Sequence, residues 1–153
     1  MNYWLMKSEP DCYSIDDLAD EESPSPWDGC RNYTVRNYFR DSMQDGDLAF
    51  FYHSNTEPVG IVGVMEIVGE AIPDPTQFDP KSEYFDSKSS ADNPRWITRN
   101  VRFVRKFERT VPISELRGTP GLEEMYVLRR GQRLSVMPVT EREWKIVNGL
   151  PGL

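Results

Sequence analysis

The sequence predicts an α+β domain with an antiparallel or mixed sheet, open or curled into a small barrel. Three observations carry the prediction. Four or five short apolar or alternating runs read as strands and mostly follow one another without intervening helices. Three or four short segments carry helix-start chemistry. The chain is 153 residues long, the length of one domain, so residues 1–153 are taken as a single unit. A chain of that size buries roughly two-thirds of its unfolded surface and needs no staples.

Each element can be justified in order. Tyr3 to Lys7 is a strand, with Trp4 and Met6 on one face and Tyr3 and Leu5 on the other. Ser14 caps a helix over Ile15–Leu18, and Asp17 has a favourable sign for the helix dipole. Residues 21–26 are a loop by composition. Val35, Tyr38 and Phe39 form the apolar stripe of a helix over residues 32–42. Leu48–His53 and Gly60–Val68 are apolar strands joined by a short link, and Gly60 and Gly63 predict a bulge or a close approach. Residues 73–95 form a long irregular segment whose Phe78, Tyr84 and Phe85 argue that it is packed. The next strand alternates, with Val101, Phe103 and Phe107 on one face. Pro112 opens a short helical turn, and Leu134–Val139 is a last strand. Thr140 and Glu143 form a capping box for a closing helix.

Composition bounds the function. Aromatic residues make up 12% of the chain, too many for a disordered protein. No apolar run is long enough for a membrane helix, and the amino terminus lacks the basic flank of a signal peptide. The two cysteines, Cys12 and Cys30, make neither a metal cluster nor a disulfide framework, so the expectation is a reduced, cytoplasmic protein without metal or cofactor. The net charge is −7, which opposes strong non-specific binding to nucleic acid. The charge is uneven: residues 1–94 sum to −13 and residues 95–153 to +6. The basic half is either a functional face or an ordinary solvated surface.

His53 is the only histidine, and neither cysteine lies in a motif that activates a thiolate. No phosphate-binding glycine loop appears. The informative segments mix aromatic and small polar residues: 7–10, 27–33, 50–55, 84–89 and 95–96. Together they supply what a flat heterocycle needs, rings to stack on it and polar groups to read its edge.

These segments also carry a resemblance. Trp4-Leu5-Met6-Lys7-Ser8-Glu9-Pro10-Asp11, Trp27-Asp28-Gly29-x-Arg31-Asn32-Tyr33, Phe51-Tyr52-His53-Ser54-Asn55 and Gly60-Ile61-Val62-Gly63-Val64 resemble the EVE domain family. So do residues 73–79, 94–96 and 133–140, in order over nearly the whole chain. The resemblance implies a PUA-like fold, a small mixed barrel or curled sheet flanked by short helices, akin to YTH, ASCH and SRA domains. It implies a non-catalytic protein that binds a modified base, such as a modified cytosine in DNA, or modified RNA. Cys30 replaces the family's more common Val, and Ser87 replaces a common Pro ahead of Lys88.

The expected pocket lies between the Trp27–Tyr33 turn and the end of the Tyr52–Asn55 strand. Trp27, Tyr33, Tyr52 and Trp96 are its aromatic candidates. Ser8, Asn32 and Ser54 are the edge-reading candidates, with His53 donating to an oxygen of the ligand and Asn55 a further ligand contact at the strand end. Lys7, Arg31 and Lys88 are expected to hold the nucleic-acid backbone. Two other readings stay open: a hydrolase of a modified nucleotide with His53 as base, and a binder of small molecules or anions.

Overall fold

The computed structural model describes residues 1–153. Six strands form one mixed sheet in the order β2-β5-β4-β3-β1-β6. They are β1 (Tyr3–Ser8), β2 (Ser25–Pro26), β3 (Leu48–His53), β4 (Gly60–Pro73), β5 (Ile97–Pro112) and β6 (Val136–Val139). Only β1 and β3 are parallel; the other pairs are antiparallel. The sheet does not close, and β2 and β6 are its edges. Pro26 and Pro138 lie in those edge strands, where a missing N–H costs least. The two-residue β2 falls inside the segment read as a loop, because only its pairing with Val101 and Asn100 makes it a strand.

The helices are short. They are α1 (Ile15–Ala19), α2 (Tyr33–Asn37), α3 (Ile113–Gly118) and α4 (Glu141–Asn148). Both expected capping boxes form. Ser14 Oγ accepts from Asp17 N and Thr140 Oγ1 from Glu143 N, each at 3.1 Å. The reciprocal bonds from Asp17 and Glu143 to the cap backbone complete the boxes. The helix expected over residues 32–42 begins as α2 and continues as a π turn over Tyr38–Ser42. Arg99, 7% exposed, donates to the carbonyls of Phe39, Met43 and Gly69. It therefore secures the end of that turn, and this basic residue belongs to the core.

Strand alternation divides the interior into two clusters, one on each face. Trp4, Met6, Trp27, Phe51 and Val101 lie in one, with Val35 and Phe39 above them. Leu5, Phe50, Tyr52, Phe107 and Trp144 lie in the other. Phe107 is a correction: it leaves the face that Val101 and Phe103 occupy. Val64 pairs with Arg105 while Met65 pairs with Phe103, so Val104 is an extra residue in β5. A one-residue bulge inverts every side chain that follows it. Gly63 shows the predicted close approach, since a Cβ there would lie 2.4 Å from Arg105 O and 2.2 Å from Ile15 Cδ1.

Candidate functional site

A cleft of about 480 Å³ opens on the face that holds Trp27. That lies within the roughly 300–1,000 Å³ typical of ligand sites. Ser8 at the end of β1, Cys12 and Tyr13 form one side; Ser25 and Pro26 of β2 form another. Trp27 and Asp28 also line it, and Glu83 and Tyr84 complete it from the irregular segment. Trp27 is 6% exposed, so it serves as a floor. Its ring meets Phe51 edge-on, with centroids 5.2 Å apart. Its carbonyl accepts from Thr98, which fixes it to β5.

The wall carrying Tyr84 is built by polar chemistry. Asp74 is 1% exposed and accepts from Gly29 N at 2.8 Å, Thr76 N at 2.9 Å and Arg31 Nη1 at 3.1 Å. Arg31 also donates to Tyr84 O, Thr76 Oγ1 and Cys30 O. Gln77 is fully buried and holds both ends of the segment: Nε2 donates to the carbonyls of Asp74 and Trp96, while Oε1 accepts from Trp96 N and Ser89 Oγ. Trp96 Nε1 donates to Asp86 at 2.8 Å, and its ring stacks on Tyr33 at 5.0 Å. Residues 73–96 are thus a packed loop, but not through the aromatics expected to pack it: Phe78 and Phe85 are exposed, and Asp74, Arg31, Gln77 and Trp96 hold it together. Gly29, at φ +87°, lies under the Tyr84 ring, where a Cβ would come within 2.8 Å. Only glycine allows both that conformation and that approach.

Of the twelve expected site residues, the structure brings Ser8 and Trp27 to the cleft. Arg31, Tyr33 and Trp96 stand behind it as the buttress of the Tyr84 wall. Arg31 is therefore not free to hold a phosphate, because its donors turn inward. Asn32 caps α2, its Oδ1 accepting from Val35 N. His53 and Asn55 support the opposite wall: His53 Nε2 accepts from Ile15 N at 3.2 Å, and Asn55 Nδ2 donates to Glu9. Ser54 N donates to Ser8 O. Lys88 lies on the exposed part of the loop, outside the cleft lining.

Lys7 and Tyr52 are corrections. They pair across the parallel β1–β3 ladder, with the Lys7 Nζ 5.7 Å from the centre of the Tyr52 ring. Their side chains point to the face opposite Trp27, because each stands one residue from a member of the cleft face. Tyr52 is 2% exposed within the second core cluster.

Sequence reasoning missed Tyr13, Ser25, Asp28, Glu83 and Tyr84 as cleft residues. Asp28 and Tyr84 had a signal, since both stand inside motifs already singled out. Asp28 is the cleft's distinctive group. Desolvation raises its carboxyl above the ordinary range, Asp74 adds to this, and Arg31 opposes it. No ion pair holds it. The Tyr13 phenol is pushed up to about 12, chiefly by burial, and so stays a neutral donor. The arrangement is a ring-walled cleft lined by the carboxylates of Asp28 and Glu83, in which Ser8 Oγ donates to Tyr13 O and the Tyr13 hydroxyl to Glu21. Such a site can enclose a planar group and accept hydrogen bonds from its amino edge. Nucleophilic chemistry has less support. Burial pushes the Cys30 thiol up to about 11, and its sulfur faces Ser135 Oγ rather than a base.

A mixed open sheet with this cleft beside its parallel pair defines the class of protein. The EVE domain family model matches residues 2–150, and the chain belongs to that family. Thymocyte nuclear protein 1 from Mus musculus is 43% identical over 166 residues, covering 97% of this chain and 73% of the mouse protein. A crystal structure from Pseudomonas putida superposes with a TM-score of 0.90 at 44% identity, covering 95% of this chain and 97% of that one. Human THYN1, solved in complex with DNA containing 5-methylcytosine, superposes with a TM-score of 0.87 at 42% identity, covering 96% and 95% of the two chains.

Proposed function

We propose that this protein is a non-catalytic reader of a modified cytosine, presented by DNA and inserted as an extruded base into the Trp27–Tyr84 cleft. The observation that carries the reading is the coincidence of aromatic walls with two carboxylates free of any ion pair, Asp28 and Glu83, of which Asp28 adjoins Trp27. Cytosine presents an amino group on its N4, and Asp or Glu is the side chain suited to accept from it. Asp28 takes that role. Its raised carboxyl also favours sharing a proton with the ring nitrogen beside the amine. Tyr13 and Tyr84 supply the flanking rings, and Ser8 and Ser25 supply small polar contacts. The human relative's complex with 5-methylcytosine DNA supports the choice of base. Nothing comparable supports a hydrolase: the His53 nitrogen that would act as base already accepts from Ile15 N.

The test compares affinities for oligonucleotides that differ only in a single 5-methylcytosine or cytosine, using wild type and Asp28→Asn. Wild type is expected to prefer the methylated strand, and Asp28→Asn to lose about 1–3 kcal/mol of that binding. Equal affinity of wild type for both strands would overturn the reading. A role in hydrolysis requires turnover of a nucleotide panel that His53→Ala abolishes.

A further inference from the structure

Ion pairing sorts the basic half of the chain. Of the twelve Lys and Arg beyond residue 94, Arg99 is buried in the core. Arg95, Arg102, Lys106, Arg109 and Lys145 are paired with carboxylates. Most of β5's positive charge is therefore neutralised within the fold. Six arginines remain without an ion pair, and four of them gather in one region: Arg117, Arg129, Arg130 and Arg133.

Local structure explains that gathering. A turn runs from Arg129 to Gln132, where Gln132 N donates to Arg129 O at 3.2 Å, and it leaves Arg129, Arg130 and Arg133 exposed. Arg117 Nη1 reaches Leu128 O at 3.4 Å, tying α3 to the same turn. Arg129 lies 3.9 Å over the Tyr126 ring, which holds its guanidinium as a flat exposed plate. The segment after the turn docks on β1, where Lys7 N donates to Ser135 O at 2.8 Å. Ser135 Oγ also meets Cys30 Sγ at 3.7 Å, two residues from Asp28. The end of the turn thus contacts two of the segments that supply the cleft. The nearby acids Glu123 and Glu124 face elsewhere in their interactions: Glu123 accepts from Gly121 N, and Glu124 offers Arg129 only its carbonyl.

The geometry points to a phosphate track formed by Arg117, Arg129, Arg130 and Arg133, which holds the nucleic-acid backbone while the cleft holds the base. This rests on the base-reading function proposed above. The two regions are electrostatically opposite. Asp28 and Glu83 line the cleft and repel a phosphate there, while the unpaired arginines of the turn attract one. The protein thereby combines a net charge of −7 with a local anion-binding surface. Arg31, whose donors turn inward, takes no part in holding the backbone.

Duplex affinity measured against salt concentration tests the track, using one methylated and one unmethylated oligonucleotide. The double variant Arg130→Gln/Arg133→Gln is expected to bind both more weakly, to keep their ratio, and to lower the slope of log K against log[salt] by roughly 1–2. Arg102→Gln, whose partner is Glu66, should leave the slope unchanged. Asp28→Asn should weaken binding of both strands, which share the amine that Asp28 accepts from, and spare the slope. An unaltered slope in the double variant overturns the track. If its slope falls while wild type shows no preference for the methylated strand, the base reading fails and the track stands. No wild-type binding to either strand overturns both.

Discussion

Asp28 links recognition to instability. Its folded carboxyl titrates above its unfolded value, so the folded protein holds the proton more tightly. The resulting stabilisation is present in acid and is lost as pH rises through the folded pKa. At neutral pH the charged carboxylate is a net cost that the free protein carries. Asp28→Asn should therefore melt above wild type at pH 7, and the gap should close toward pH 4. A variant that melts lower at pH 7 would show Asp28 to be a structural anchor. His53 has the opposite dependence. Burial lowers its pKa below 6.5, and Nε2 must be unprotonated to accept from Ile15 N. Its contribution is complete above pH 6.5 and declines as pH falls toward the folded value. Urea unfolding at pH 7.5 and 5.5 should show wild type losing more stability than His53→Gln, whose amide oxygen still accepts when the solution is acid.

At the scale of the element, the loop over residues 73–96 is the part of the site most dependent on long-range contacts. The aromatics expected to pack it include Phe78 and Phe85, which are exposed, and nothing local revealed the polar pairing that holds it. Asp74, Gln77 and Arg31 act through partners up to 53 residues away, and such pairing has no periodic signature. Arg31→Gln should strand the buried Asp74 carboxylate and cost about 3 kcal/mol. Amide hydrogen exchange should then rise across residues 76–95 before the sheet responds. Gly29→Ala should push the Tyr84 ring out of the cleft wall and cost about 1–3 kcal/mol through strain and overpacking. Unchanged ligand affinity in that variant would remove Tyr84 from the site. Helix starts were far more legible, because a capping box is complete within four residues. The bulge at Val104 was not, since an extra strand residue is defined only by the partner strand it fails to match.

For the whole molecule, one sheet separates two cores, and that separation decides which residues can meet a common ligand. Alternation in β1 and β3 already assigns Lys7 and Tyr52 to the face away from Trp27. Grouping them by motif instead produced one pocket from residues on two faces. The overall class was legible because mixed strands and short capped helices leave few alternatives. The cleft's true membership was not, because Tyr13, Ser25 and Tyr84 come from separate segments joined only by the fold. A second groove, lined by Tyr3, Tyr38 and Pro138, lies near the β6 edge and provides an internal control for mapping experiments.

The most direct measurement is a titration of isotope-labelled protein with a short single strand carrying one 5-methylcytosine, followed by backbone and indole NMR shifts. The largest changes should fall on Ser8, Tyr13, the Trp27 indole, Asp28 and Tyr84, with a second set on Arg129–Arg133. Changes centred on Tyr52 and its neighbours in the second core, or on the Tyr3–Pro138 groove, would contradict the account.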